Sequence, residues 1–183
     1  MDELKEIKVF EVDLAWVQDV KKQKIKKYFG FLPANVNYVA IDFNSQTLNE
    51  VLQKCNFDFS EPTFIIWEGV TQYITKDAAE QTLDFISRTP KGSYLVFTYI
   101  LESVIKKEST IEGTREFIDY LIKKKTPWLF GIKKNSIEAF VQGYNLKLID
   151  DIGASYYQEH YLQKIGRQLL TTEIERVVLA KIN

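Results

Sequence analysis

The stretch Lys8-Val9-Phe10-Glu11-Val12-Asp13-Leu14 decides how this chain is read. Val9, Phe10 and Val12 carry strand propensity, and Glu11 and Asp13 fall on one face by period-two alternation. The stretch reads as a buried strand whose C-terminal end delivers carboxylates and runs straight into a helix. Open α/β sheets bind ligands beyond the carboxyl ends of their strands. The same pattern returns at Tyr38-Val39-Ala40-Ile41-Asp42-Phe43, and again at Phe64-Ile65-Ile66-Trp67-Glu68-Gly69. Three apolar strands, each closing on an acid, predict one site lined by strand ends.

The 183 residues show no break in composition, so a single domain over residues 1–183 is expected. A hydrophobic content of 45% is ample for a core and argues against disorder. The net charge of −1 carries no signal for a polyanionic partner, so no nucleic acid is expected. Basic runs at residues 21–27 and 123–125 lie in helical patterns and read as solvated faces. Cys55 and His160 are the only residues of their kinds, so neither a disulfide framework nor a Cys/His metal site is expected. The sequence has no apolar run of the ~18 residues a membrane span needs, and no signal peptide is visible. The expectation is a cytoplasmic protein without a membrane partner.

Outward from the first strand, a short polar opening over residues 1–7 precedes it. A helix follows through Val17, Val20, Ile25, Tyr28 and Phe29, ended by Gly30 and Pro33. A second strand is expected over about 37–41, then a helix through Leu48, Val51 and Leu52 capped by Asn44 or Ser45. Residues 56–62 read as a loop and 63–67 as a strand. Asp77-x-x-Glu80 looks like a variant capping box opening a helix through Leu83 and Ile86. Pro90-Lys91-Gly92 turns the chain into a fourth buried strand over 93–99. This β-α-β-α-β-α-β order implies a parallel sheet with right-handed crossovers.

The second half changes character. Residues 111–125 are amphipathic through Phe117, Ile118, Leu121 and Ile122, and Thr126-Pro127 stops them. Trp128-Leu129-Phe130-Gly131 reads as an apolar connector. Asn135 or Ser136 would cap a short helix (Ile137, Phe140, Val141) closed by Gly143 at the C′ position. Strands are expected over 145–149 and 175–182. The Tyr-rich segment 153–172 between them has no clear crossover helix, so the two strands should be antiparallel neighbours.

Parallel β-α units closing on acids, followed by an antiparallel pair, resemble class I S-adenosylmethionine-dependent methyltransferases. The local motifs resemble the leucine carboxyl methyltransferase-like family. They are Val9-Phe10-Glu11-Val12-Asp13, Ala40-Ile41-Asp42-Phe43, Pro62-Thr63, Glu68-Gly69-Val70-Thr71-Gln72-Tyr73-Ile74, Pro127-Trp128-Leu129-Phe130-Gly131 and Glu175-Arg176-Val177-Val178-Leu179-Ala180. Each is weak alone, but six in order are specific. The fold implied is an α/β, Rossmann-like sheet with helices on both faces.

By that resemblance S-adenosyl-L-methionine is the cofactor. Asp13, with Glu11 beside it, would accept from the ribose hydroxyls, as a carboxylate can from a cis-diol. Asp42 would accept from the adenine amino group while the Phe43 N–H donates to a ring nitrogen. Glu68 would lie beside the methionine moiety. The plainer role for each acid is a carboxylate at a helix N-terminus. The resemblance also places a substrate cover at residues 153–172, with Tyr73, Tyr161 and Arg167 as substrate residues; no catalytic residue or metal is identified. A carboxylate acceptor would need no general base. For a hydroxyl acceptor Tyr73, Tyr156, Tyr157 and His160 are the candidates only by conjecture, and packing or lining an apolar pocket is the plainer role for such tyrosines.

The family places a strand and a glycine-containing loop ahead of the first motif, and this chain begins after them. None of its eight glycines forms a Gly-x-Gly pair. The family's sheet order is 3-2-1-4-5-7-6, so the expected chain lacks the central strand between those carrying Asp13 and Glu68. Its N-terminal helices, with an arginine for the cofactor's carboxylate, are also missing. Unpaired inner edges are costly if buried. The edges would close on each other, accept a second copy or a partner strand, or mark a gene fragment. Two functions follow: O-methylation of a carboxylate or hydroxyl, or a non-catalytic remnant acting as a binding or assembly module. A nicotinamide enzyme is the third reading, and no Gly-x-Gly-x-x-Gly fingerprint supports it.

Overall fold

The computed structural model describes residues 6–111, 113–169 and 171–183. Most of the polar opening at 1–7, Glu112 in the expected helix and Leu170 in the expected cover lie outside these. The chain forms two compact units, Met1–Asp58 and Phe59–Asn183.

The first unit is one β-α-β turn. Strand β1 (Val9–Asp13) pairs in parallel with β2 (Val36–Ala40), with Asp13 opposite Ala40. The crossover is helix α1 (Ala15–Phe29), which ends where Gly30 takes φ +79° and donates its N–H to the Lys26 carbonyl. A left-handed residue at that point is where glycine has no steric cost. Gln18 is the one buried residue of α1. Its Nε2 donates to the carbonyls of Glu11 (2.8 Å) and Val39 (3.0 Å), so one amide ties the helix to both strands. Helix α2 (Leu48–Leu52) opens on a capping box. Thr47 accepts from the Glu50 N–H, and the Glu50 carboxylate accepts from the Thr47 N–H. The expected caps, Asn44 and Ser45, instead form a turn closed on Asp42, whose side chain and carbonyl accept their N–H groups.

The second unit is a four-stranded mixed sheet in the order β3-β4-β6-β5. Here β3 is Phe64–Trp67, β4 Tyr94–Ile100, β5 Leu146–Ile152 and β6 Glu175–Ile182. β3 and β4 are parallel, and β6 runs antiparallel to both β4 and β5, as the unbridged pattern predicts. Within each unit the pairings follow the family order: 3-2 in the first, 4-5-7-6 in the second. The core lies on β4, where Leu95, Phe97, Tyr99 and Ile100 are essentially solvent-free, and on β6, where Val178, Ala180 and Ile182 alternate inward. Helix α3 (Lys76–Ser87) adds Leu83 and Ile86. Each such Leu, Ile, Val or Phe side chain contributes about 1.5–3 kcal/mol on burial.

Several details differ from the sequence reading. Thr75, not Asp77, caps α3 by accepting the Ala78 N–H; Asp77 sits in the first turn and Glu80 pairs with Lys76 at 3.5 Å. A short helix α4 (Glu102–Ile105) follows β4, too brief for its periodicity to show. Helix α5 spans Thr114–Lys123, shorter than expected, because Lys125 turns at φ +59° before Thr126. Its Ile118 and Leu121 pack on Ile100 and Val104. Helix α6 (Ile137–Gln142) has no side-chain cap from Ser136, being led in by a 3-10 turn. Gly143 stays right-handed at φ −59°, and Asn145 at φ +58° makes the left-handed turn instead. The segment expected to be irregular coils into α7 (Ala154–Tyr157), a π-helical turn (Gln158–Leu162) and a 3-10 turn (Gln163–Ile165).

Candidate functional site

In the first unit, the parallel register brings Asp13 and Asp42 to the same end of the two-stranded sheet. The Asp13 carbonyl accepts the Ile41 N–H at 3.0 Å, fastening the two strand ends together. Oδ1 of Asp13 takes the N–H of Leu14 at 2.7 Å and Oδ1 of Asp42 takes that of Asn44 at 3.0 Å. Among the described residues the other oxygen of each carboxylate makes no hydrogen bond, and neither does the N–H of Phe43. Two unused acceptor oxygens and an unused donor therefore cluster at this sheet end. Glu11 is differently placed. Its carboxylate takes Nε2 of Gln18 at 2.8 Å and Nζ of Lys21 at 2.6 Å, and the side chain is 16% exposed. Both of its oxygens are already engaged within the unit.

In the second unit, Glu68 is exposed just past β3, and the loop after it is fixed to β4. Gly69, at φ +67°, donates its N–H to Oγ1 of Thr98 at 2.9 Å. Oγ1 of Thr71 donates to the Thr98 carbonyl at 2.7 Å, and the Gln72 carbonyl accepts the Leu129 N–H at 2.6 Å. Tyr73 follows in a 3-10 turn, exposed. The motif Glu68–Ile74 and the connector at 127–131 thus serve one purpose locally: they lock the ends of β3 and β4.

The first turn of the 153–169 segment lines one cleft with Leu101, just past β4. The ring of Tyr156 stacks on His160 with centroids 3.9 Å apart, and Nδ1 of His160 lies 3.0 Å from the Tyr156 carbonyl. Tyr157 and Tyr161 stack at 6.0 Å, with Tyr161 59% exposed. Burial, then the nearby Tyr161 and Glu68, push the Tyr157 phenol above its ordinary value. It stays protonated at neutral pH and is unsuited to act as a general base there. Arg167 is exposed; its backbone bonds to Leu162 and Gln158, and its guanidinium makes no ion pair among the described residues. The π-helical turn is a rare local geometry that favours functional sites.

Sequence reasoning missed the polar centre of this unit. A cleft of about 440 Å³ lies at the base of the segment, among Leu101, Lys134, Gly153, Ser155, Tyr156 and Arg176. Arg176 is 6% exposed and bonds to Asp151 and Glu173. The signal was present: in β6 the inward positions alternate, and Arg176 falls on the same face as Val178, Ala180 and Ile182. A charge on an apolar face needs a partner.

Residues 1–87 match the leucine carboxyl methyltransferase family model. Over 118 residues the chain is 30% identical to YktD of Bacillus subtilis (strain 168), named as an S-adenosyl-L-methionine-dependent methyltransferase; this covers 64% of the chain and 37% of YktD. Among solved structures, a protein described as a methyltransferase from Thermobifida fusca YX aligns with a TM-score of 0.63 and 13% identity, covering 96% of this chain and 63% of that one. A DUF574 family protein from Streptomyces avermitilis aligns at 0.59 and 12% identity, covering 96% and 65%. An O-methyltransferase family 2 protein from Planctomyces limnophilus, solved with apigenin, aligns at 0.55 and 14%, covering 95% and 43%. The chain thus spans little more than a third of its curated relative and less than two thirds of these structures. Among the described residues no helix is long and apolar enough to cross a membrane. Residues 1–87 are thus similar in sequence to the leucine carboxyl methyltransferase family, and the described residues share the α/β fold of these solved structures.

Proposed function

We propose that this chain takes part in S-adenosylmethionine-dependent O-methylation of a carboxylate or hydroxyl acceptor, its two units being parts of one methyltransferase-like domain. One observation carries the reading: the unused oxygens of Asp13 and Asp42 and the unused Phe43 N–H at one strand end. They fit an adenosine. Asp13 would accept from the ribose diol, Asp42 from the adenine amino group, and Phe43 would donate to a ring nitrogen. Glu11, already bonded to Gln18 and Lys21, would brace the strand that carries Asp13. Glu68, in the second unit, is an exposed carboxylate suited to pair with an ammonium group. When bound, the cofactor supplies a methyl group activated on a sulfonium.

The chain's part is then to position the acceptor and exclude water, the main sources of acceleration for an in-line displacement. Tyr73, Tyr161 and Arg167 remain the substrate candidates on this reading. The cleft adds Lys134, the Ser155 hydroxyl beside Glu173, and the Tyr156 hydroxyl. These are donors, suited to an acceptor rich in oxygen. The test is transfer of a radiolabelled methyl group to a panel of carboxylates, phenols and alcohols. Label released by mild base identifies an ester, stable label an ether, and no incorporation above a chain carrying Asp42→Asn contradicts the proposal.

A second reading rests on strand pairing. Among the described residues β1 pairs only with β2, and β3 only with β4, so each offers an open edge. Open edges template strand addition. A second copy of this chain, or a partner strand, would then complete a binding or assembly module without catalysis. Sedimentation that shows only monomer, alone and with cell extract fractions, argues against it.

A further inference from the structure

The segment 153–169 leaves the sheet and returns to it beside a single guanidinium. Asp151 lies just before the segment, Glu173 just after it, and Arg176 reaches both. Its Nε–H is shared between the Asp151 oxygens at 3.0 and 3.1 Å, Nη2 donates to the Asp151 carbonyl at 2.8 Å, and Nη1 donates to Glu173 at 3.2 Å. Glu173 turns its second oxygen to the Ser155 N–H at 2.6 Å, catching the first turn of the segment. Tyr99, essentially solvent-free, points its hydroxyl at Asp151 from β4.

Two local features make this arrangement. The register of β5 on β6 shifts between Leu148 and Asp150, leaving Ile149 as the extra residue. That changes the parity of the strand, so Asp151 rather than Asp150 shares the inward face of Leu146 and Leu148. Gly153 then lets the chain pass: a Cβ there would collide with the Glu173 carboxylate and with Nη1 of Arg176.

Beyond these bonds, the hydrogen bonds of the segment among the described residues are internal. Nε2 of Gln158 donates to the Arg167 carbonyl at 3.1 Å, and Oε1 of Gln158 accepts the Leu169 N–H at 3.2 Å. The Arg167 N–H donates to the Leu162 carbonyl at 2.9 Å. A segment with its own internal bonds and an ionic stem at its base would loosen first at that stem.

We propose that Arg176, by holding Asp151 and Glu173 together, is the positioning residue that fixes the stem of the 153–169 segment near the end of β4 and shapes the cleft at that stem. That the cleft receives the methyl acceptor rests on the function proposed above; the clamp itself does not. The clamp opens at Glu173, the more exposed of its two carboxylates.

The experiment is hydrogen exchange by mass spectrometry on the 183-residue chain and on Glu173→Gln, with Gln158→Ala as a second variant. The expected result is at least tenfold faster exchange of stem amides at 153–156 and 173–175 in Glu173→Gln, with β4 amides unchanged. The Leu169 amide, whose N–H donates to Oε1 of Gln158, should keep its protection in Glu173→Gln and lose it in Gln158→Ala. Wild type should show the same stem loosening as pH falls below the ordinary carboxylate range of about 4, a step missing from Glu173→Gln. Asp151, Arg176 and Lys134 are the other charged groups facing this stem, and the step is assigned by its loss in that variant. No local change, or a uniform rise across the chain, overturns the proposal. If the stem loosens as stated while no variant or wild type binds S-adenosylhomocysteine, the clamp stands and the methyltransferase reading falls.

Discussion

The Nε–H of Arg176 is shared by both carboxylate oxygens of Asp151, at 3.0 and 3.1 Å, with the two side chains only 7% and 12% exposed. A buried pair of this kind is weak evidence for stability as a whole, because desolvating two charges offsets their attraction. Removing one member is another matter. Asp151→Ala leaves a guanidinium buried with its main partner gone and should cost about 3–5 kcal/mol in urea unfolding. A loss of about 1 kcal/mol or less, the scale of an exposed pair, would show that water reaches the site.

Gln18 is the corresponding device in the first unit. Its amide serves the Glu11 carbonyl, the Val39 carbonyl and the Glu11 carboxylate from a position 2% exposed. Gln18→Leu keeps the volume and abandons those acceptors, so a destabilisation of about 1–3 kcal/mol is expected. Chemical denaturation of the variant checks it, and a neutral result would mean that water replaces the amide.

The capping box at Thr47 has a pH signature. The Thr47 backbone N–H, then its hydroxyl, hold the Glu50 carboxyl below its ordinary value. A group lowered on folding contributes stability above the unfolded value of about 4.3 and loses it as pH falls through the folded value. The wild-type unfolding midpoint should therefore drop more steeply below that pH than the midpoint of Glu50→Gln. Parallel curves for the two proteins would remove Glu50 from the account.

The strands were legible because Phe64–Trp67, Tyr94–Ile100 and Glu175–Ile182 announce themselves by apolar runs or alternation. Boundaries were harder, since several residues competed for each cap. Asp42 drew in Asn44 and Ser45 and left Thr47 for the helix. Asn145 took the left-handed turn that Gly143 could have made. Helical structure at 154–165 was hidden because aromatic stacking, not apolar periodicity, organises it. The acids at strand ends were readable as residues, but whether each is free could not be. Glu11 proves committed to Gln18 and Lys21, while Asp13 and Asp42 each keep one oxygen unused. The Asp151–Arg176 pair depends on a one-residue bulge, and no pattern in Asp150-Asp151 says which of the two turns inward.

The most direct test of the functional account is titration calorimetry of the 183-residue chain with S-adenosylhomocysteine. The account predicts saturable binding to wild type that weakens at least tenfold in Asp42→Asn and in Asp13→Asn, with the fold of each variant intact by circular dichroism. Absence of binding to wild type, or equal binding by all three proteins, would contradict the assignment of these strand ends to the cofactor.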